Sequence, residues 1–373
     1  MSYKILTAFL ILSVILNSCT QTAQEYYDRG KEKSNLKNYE GAIADYNKAI
    51  EIDTMYGKAY NNRGAAKSKL QDYKGAIADH NKAIEINPKH WQAYFNMGMV
   101  KSDLQDYNGA IVDYSKAIEI DSMYSDAYLN RGNAKYDLQD YNNAIADFTK
   151  VIEIDPQDAR AYFNIGTIRS DLQDYKSAIV EYSRAIEIDP KFRDAYFNRG
   201  IAKYNLKNYI DATADYDMAL GVDPEFKNAY LNRGLVKYYL QDYKGAIIDY
   251  NNAIKIDSKY GDAYINRGIA KMGLSDDRGS IIDFSKAIEL DPQSGMAYYH
   301  RGVAKGYIKD FRGAITDCTK TIELLSKFQY AYYYRGISKI FLKQQESGCL
   351  DLYKALELGD TDAYDAIQEY CKK

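Results

Sequence analysis

Proline is scarce, with five residues in 373, and the chain has only one tryptophan, three histidines and four cysteines. With so little proline, almost nothing interrupts a helix, and the composition leans towards an extended array of helical units. Three scattered histidines and cysteines confined to Cys19, Cys318, Cys349 and Cys371 exclude the close ligand spacing of a zinc site. A charge surplus is missing too. Lys and Arg number 49 against 52 Asp and Glu, a formal net charge of −3 with no long run of either sign, so no basic patch exists to neutralise nucleic-acid phosphates. Nucleophile elbow, phosphate loop and second domain are also absent, which argues against an enzyme and implies no cofactor and no metal. His80 falls on a buried helix stripe and His90 in a loop, leaving only His300 on an open face, without an oriented partner. Long apolar runs are limited to Ile5–Leu16, twelve residues broken by Thr7 and Ser13, too short for a spanning helix of about 20.

What is present is a period. The dipeptide Ala-Tyr recurs at 59, 93, 127, 161, 195, 229, 263, 297 and 331, always 34 residues apart, and glycine keeps step from Gly30 to Gly336. Ten repeats therefore begin at 23, 57, 91, 125, 159, 193, 227, 261, 295 and 329, which predicts an all-α solenoid. In the repeat at 125, a first helix presents Tyr128, Gly132 and Leu138, and a second presents Tyr141, Ala144, Ile145, Phe148, Val151 and Ile152. The recurrent glycine, unfavourable in a helix by about 1 kcal/mol, predicts close approach of another helix. Asp140 and its equivalents are expected to cap the second helices, except in the last repeat, which has Gln344. All five prolines follow a second helix at one repeat position.

Cations sit where an apolar stripe is expected. Arg131 recurs in eight repeats, replaced by Met97 and Ile165 in the third and fifth, and Lys135 recurs in nine, with Arg169 in its place in the fifth. Each repeat also keeps an acid, Asp147 in the fourth and Glu181 in the fifth. The matched pattern predicts ion clusters tying the two helices of a repeat, or adjacent repeats, together; the alternative is a cationic lining for an anionic ligand. Cys318 reads as a small core residue, while Cys349 and Cys371 on the last two helices either pair as a disulfide or remain thiols.

The aromatic at Tyr128, with Gly132, Tyr141, Ala144, Phe148 and the closing Asp155-Pro156, resembles the tetratricopeptide repeat, and the resemblance covers residues 23–362. It implies a right-handed solenoid closed by a capping helix at 363–373, with first helices lining a concave groove where an extended peptide binds. Carried over, the groove includes Asn62, Asn96, Asn130, Asn164, Asn198, Asn232 and Asn266, each offering donor and acceptor. It ends in His300 with Tyr299, Tyr330, Tyr333, Tyr334 and Phe341, aromatics that either anchor a peptide or a sugar or pack against the cap. Asp103, Asp126, Asp137, Asp171, Asp194 and Asp262 outnumber Lys58, Lys69 and Arg160 there, favouring a neutral or basic partner. Leu16-Asn17-Ser18-Cys19 resembles a bacterial lipobox, which implies a signal peptide over 1–18, lipidation of Cys19, a tether over 19–22 and anchorage in the cell envelope, the outer membrane before the inner since Thr20 follows. The alternative is a cleaved signal peptide with an unmodified cysteine. These features predict a non-catalytic, membrane-anchored scaffold for an envelope protein, and secondarily a glycan-binding or spacer component. The sequence leaves its oligomeric state open.

Overall fold

In repeat 4 the first helix runs Ser125–Asp137 and the second Tyr141–Ile154, and every repeat copies this pair within one or two residues. The structure, a computed structural model, describes residues 22–372. Among these it contains twenty-one α-helices, two per repeat and the closing Asp362–Tyr370. The signal segment and Cys19 lie outside the described residues. Contacts group the chain into two compact units that divide between Leu172 and Gln173.

The turn inside each repeat carries a feature the hydrophobic pattern hides. Gln139 adopts φ 61°, and nine equivalents from Lys37 to Lys343 do the same, so a non-glycine residue holds the left-handed conformation in all ten turns. It ends the first helix by letting Gln139 and Asp140 donate their backbone N–H groups to the carbonyls of Tyr136 and Lys135. Leu138 is thereby turned outward and is 41% exposed, not part of the stripe with Tyr128 and Gly132. The capping pattern is also uneven. Asp72, Asp106, Asp242, Asp276 and Asp310 each cap the N–H of a glycine three residues on. Asp140 does not cap, because Asn143 stands in place of that glycine and donates its own amide to both carboxylate oxygens. Asn208 is likewise diverted to Asp211.

Within a repeat the glycine of the first helix faces the large residue of the second. A Cβ on Gly132 would lie 2.6 Å from Phe148, and one on Gly234 would lie 2.6 Å from Tyr250. Both rings are buried with no room to turn. In repeat 9 the opposing residue is Cys318, whose sulfur would sit 3.0 Å from a Cβ on Gly302. Gly132→Ala is therefore expected to destabilise by about 1–3 kcal/mol through overpacking, partly offset by helix propensity. Gly302→Ala, facing the smaller thiol, should come out close to neutral. Urea denaturation followed by circular dichroism separates the two.

The C-terminal end is closed by packing of Ala366 and Ile367 on Leu352, with Tyr333, Ile337 and Ile340 alongside. Cys349 and Cys371 are joined there, their Cα atoms 5.8 Å apart, whereas Cys318 is buried and unbridged, its thiol pushed up to about 12 by burial.

Candidate functional site

Arg131 and Lys135 leave the first helix of repeat 4 one turn apart, and both reach Asp147. The guanidinium grips it with two hydrogen bonds, Nε to Oδ2 at 2.9 Å and Nη2 to Oδ1 at 2.6 Å. Lys135 Nζ adds 2.7 Å to Oδ2. Asp147 is almost wholly buried, with its side chain 5% exposed, while Arg131 and Lys135 keep 18% and 17%. The remaining Arg131 nitrogen, Nη1, donates to Ser115 Oγ of the preceding repeat at 3.0 Å. The same outer bond recurs from Arg63 to Asn47, Arg199 to Ser183, Arg267 to Asn251 and Arg301 to Ser285. The arginine thus ties both its own helix pair and the neighbouring repeat, so the two structural alternatives read from the sequence hold together. Its flat face also lies 5.4 Å from the ring centre of Tyr128. With their donors already directed at carboxylates, these cations are poorly placed to line a groove for an anion.

Repeat 3 shows what the arginine contributes. With Met97 in its place, Asp113 keeps only Lys101, 2.6 Å away yet outside hydrogen-bonding geometry. Burial pushes that carboxyl above its usual range, whereas in repeat 1 the Arg29 hydrogen bonds hold Asp45 below it. Asp45 therefore adds stability that is present above its unfolded pKa and lost as pH falls through the folded value. Asp113 runs the other way, adding stability below its unfolded pKa and losing it as pH rises through the raised one. Met97→Arg, with Asn81 standing where Ser115 stands for Arg131, is expected to lower the Asp113 pKa and stabilise by about 1 kcal/mol. Carboxyl NMR titration with urea melts checks both.

The asparagines of the first helices are all half-buried, but they are not equivalent rungs. Asn130, Asn232 and Asn266 each donate to a backbone carbonyl four residues back, at 2.8, 2.9 and 2.9 Å, which leaves their Oδ1 without a protein donor among the described residues. Asn164 donates to Asn133 Oδ1 at 2.9 Å. Asn62 and Asn96 belong to a wired network in repeats 1–3: Asn62 donates to Tyr27 Oη, and Asn96 to Oδ1 of Asn61, which also accepts from His80 Nδ1 at 3.2 Å. Asn61 and His80 are both buried and stand where repeat 3 has the aromatic pair Phe95 and Tyr114. Burial pushes the His80 imidazole down to about 4, so it is neutral at pH 7.

The C-terminal aromatics turn towards one another. Tyr299 meets His300, Phe328 and Tyr334 at ring distances of 4.9, 4.9 and 5.9 Å. Phe341 stacks on Phe311, and Tyr333 packs against the capping helix. His300 lies stacked on Phe284, its imidazole lowered to about 4 by burial. Tyr330, at 43%, and Phe341, at 55%, keep substantial exposure. The acidic excess is partly neutralised. Arg160 pairs with Asp126 at 2.9 Å, Arg193 with Asp194 at 2.8 Å, and Asp171 accepts from Tyr136.

Several contributors carry no motif of their own. The outer acceptors of the arginines, Asn47, Ser115, Ser183, Asn251 and Ser285, share one repeat position, and the recurrence of a polar residue there was the available signal.

Comparison with known proteins agrees with this architecture. Profiles described as TPR repeat match residues 101–139, 132–169 and 166–207, and profiles described as tetratricopeptide repeat match 23–54, 57–90 and 197–261. A tetratricopeptide repeat protein from Parabacteroides merdae is similar in structure, with TM-score 0.52 and 22% identity over 66% of this chain and 97% of that one. The C-terminal part of a TPR repeat-containing protein from Cytophaga hutchinsonii matches with TM-score 0.54 and 19% identity over 64% and 97%. YrrB, described as a TPR protein with an unusual peptide-binding site, is 26% identical with TM-score 0.42 over 49% and 95%. No curated protein matches the sequence. Ten helix pairs at a period of 34 residues, glycine against a buried ring in repeats 1–4 and 6–8 and against a thiol in repeat 9, and matching profiles over more than half of the chain place this protein in the tetratricopeptide repeat family.

Proposed function

We propose that this interaction scaffold is a lipid-anchored protein of the bacterial cell envelope that holds an extended segment of an envelope partner along its first-helix face. The observation that carries the reading is the Oδ1 of Asn232 and Asn266 in successive repeats, left without a protein donor among the described residues, an arrangement that Asn130 copies in repeat 4. Each amide is oriented by its own helix backbone, so Oδ1 is presented in a fixed direction, as recognition of a peptide backbone N–H requires. Cys19, in its lipobox-like setting, is the proposed attachment point. The glycan reading is weaker, since the aromatics meant to stack on sugars are largely engaged with each other.

The test is capture from envelope extract. The wild-type chain is expected to retain a protein partner that the triple variant Asn130→Ala, Asn232→Ala, Asn266→Ala loses; equal recovery by both would remove the asparagines from the site. Metabolic labelling with a fatty-acid analogue is expected to mark the wild type and not Cys19→Ser. Label on both proteins, or on neither, would reject the anchor.

A further inference from the structure

In the second compact unit, successive first helices touch one another, whereas no two second helices do, so the second helices stand on the outer, splayed side. Their outermost row in repeat 5 is Lys176, Val180, Arg184 and Glu187, and the same four positions recur at 34-residue steps. Over these positions repeats 1–4 carry five Lys against five Glu, a balance of zero. Repeats 5–9 carry eight Lys or Arg against three Glu, a balance of +5 in a chain whose net charge is −3, and repeat 10 returns to one Lys and two Glu. The cationic surplus is therefore confined to one stretch of one face.

The same row has an apolar centre. In eight repeats it holds an exposed ion pair between a cation and a glutamate three residues on, as in Lys150–Glu153 and Lys286–Glu289. Repeats 6 and 7 are the exceptions, with Met218 and Gly221 in the one and Asn252 and Lys255 in the other. Large aliphatic side chains come to the surface where the pairs are lost: Ile210 is 77% exposed, Met218 49%, Ile248 60% and, in the next repeat, Ile282 69%. The position of Ile248 and Ile282 is alanine in repeats 1, 2 and 4. Neighbouring aliphatic chains left in water on adjacent helices mark a surface that something else covers. Around them Lys176, Lys244, Lys255, Arg278 and Arg312 make no ion pair among the described residues, so their charge is free to meet a partner.

We infer that the outer face of repeats 5–9 docks on an anionic lipid surface, with Ile210, Met218, Ile248 and Ile282 entering the acyl boundary and the surrounding Lys and Arg meeting the headgroups. Aliphatic chains ringed by long cationic side chains match a bilayer, apolar within and anionic at its rim, because the stems lie along the apolar chains while the heads stay among the headgroups. Each cation held near such a surface adds an attraction that salt screens. A second copy of the same face fits poorly, since it would bring +5 against +5. An acidic protein fits less well than lipid, because none of the twenty positions in repeats 5–9 holds the Trp, Tyr or Phe on which protein docking sites centre. The inference needs neither the peptide groove nor lipidation of Cys19.

The test uses the full chain with Cys19→Ser, so that no acyl chain contributes; Cys318 is buried and Cys349 and Cys371 are joined, which leaves no accessible thiol among the described residues. A polarity-sensitive dye is placed on Ala214→Cys at the centre of the face, or on Ala146→Cys, the same position in repeat 4, both exposed. Phosphatidylcholine vesicles with phosphatidylglycerol are expected to brighten and blue-shift the dye at 214 and leave the dye at 146 unmoved, whereas phosphatidylcholine alone changes neither. Lys244→Glu, Lys255→Glu and Arg278→Glu together, all exposed, are expected to lower the affinity for the anionic vesicles in sedimentation by at least about tenfold. The N-terminal segment is common to every form, so its own affinity cancels in that comparison. Equal sedimentation of the reversed variant, a silent dye at 214, or equal shifts at 214 and 146 overturns the inference. So does a shift at 214 without vesicles that grows with protein concentration, which assigns the face to a second copy, or an equal shift with polyglutamate, which assigns it to an acidic polypeptide.

Discussion

Asp147→Ala is expected to cost about 3–5 kcal/mol, because it strands Arg131 and Lys135 without the buried carboxylate that both of them pair with. Asp249, with its side chain 1% exposed between Arg233 and Lys237, should cost less, because Arg233 keeps a second carboxylate in Asp217. The informative comparison is Asp113→Asn. That carboxyl already resists ionisation and has one cation instead of two, so its neutral replacement should fall within about 1 kcal/mol of wild type at pH 7. Urea unfolding of the three variants at pH 7 and pH 5 checks the ranking. Equal losses at Asp147 and Asp113 would mean that the pairing contributes little and that burial alone sets the penalty.

Removing the bridge by Cys349→Ser with Cys371→Ser is expected to lower stability by about 3 kcal/mol, the loop-closure entropy of a 22-residue separation. In a stack where each repeat contacts only its neighbours the loss is felt locally. Hydrogen exchange should rise across Gln345–Glu357 and Asp362–Tyr370 and stay unchanged in repeats 1–4. Uniform exchange along the whole chain would show instead that the bridge stabilises both compact units.

The repeat itself was readable from the first Ala-Tyr pairs, because a strict period leaves one way to bury Ala144, Phe148 and Val151. The ion clusters were readable too, since a periodic cation on a buried stripe demands a periodic anion. The turn residue escaped notice because Gln, Lys and Ser occupy a left-handed position where glycine would have announced it. Failure of the Asp140 cap depends on the residue three positions on, which a single-position pattern does not see. The asparagines looked alike because their differences come from partners: Tyr27, Asn133 and carbonyls one turn back. The Asn61–His80 network was hidden for a related reason: each residue stands in a slot that repeat 3 fills with an aromatic, and neither substitution recurs in another repeat.

The outer hydrogen bond of each arginine bears on how the array comes apart. It crosses from one repeat to the one before, and Met97 and Ile165 interrupt it at the 2–3 and 4–5 junctions, the two most sparsely packed junctions between successive repeats. In a chain of nearest-neighbour couplings, a weak link is where cooperativity breaks. Repeats 1–2 and 3–4 are thus expected to open as separate blocks as denaturant rises, with the first break between the helices Tyr73–Ile86 and Trp91–Asp103.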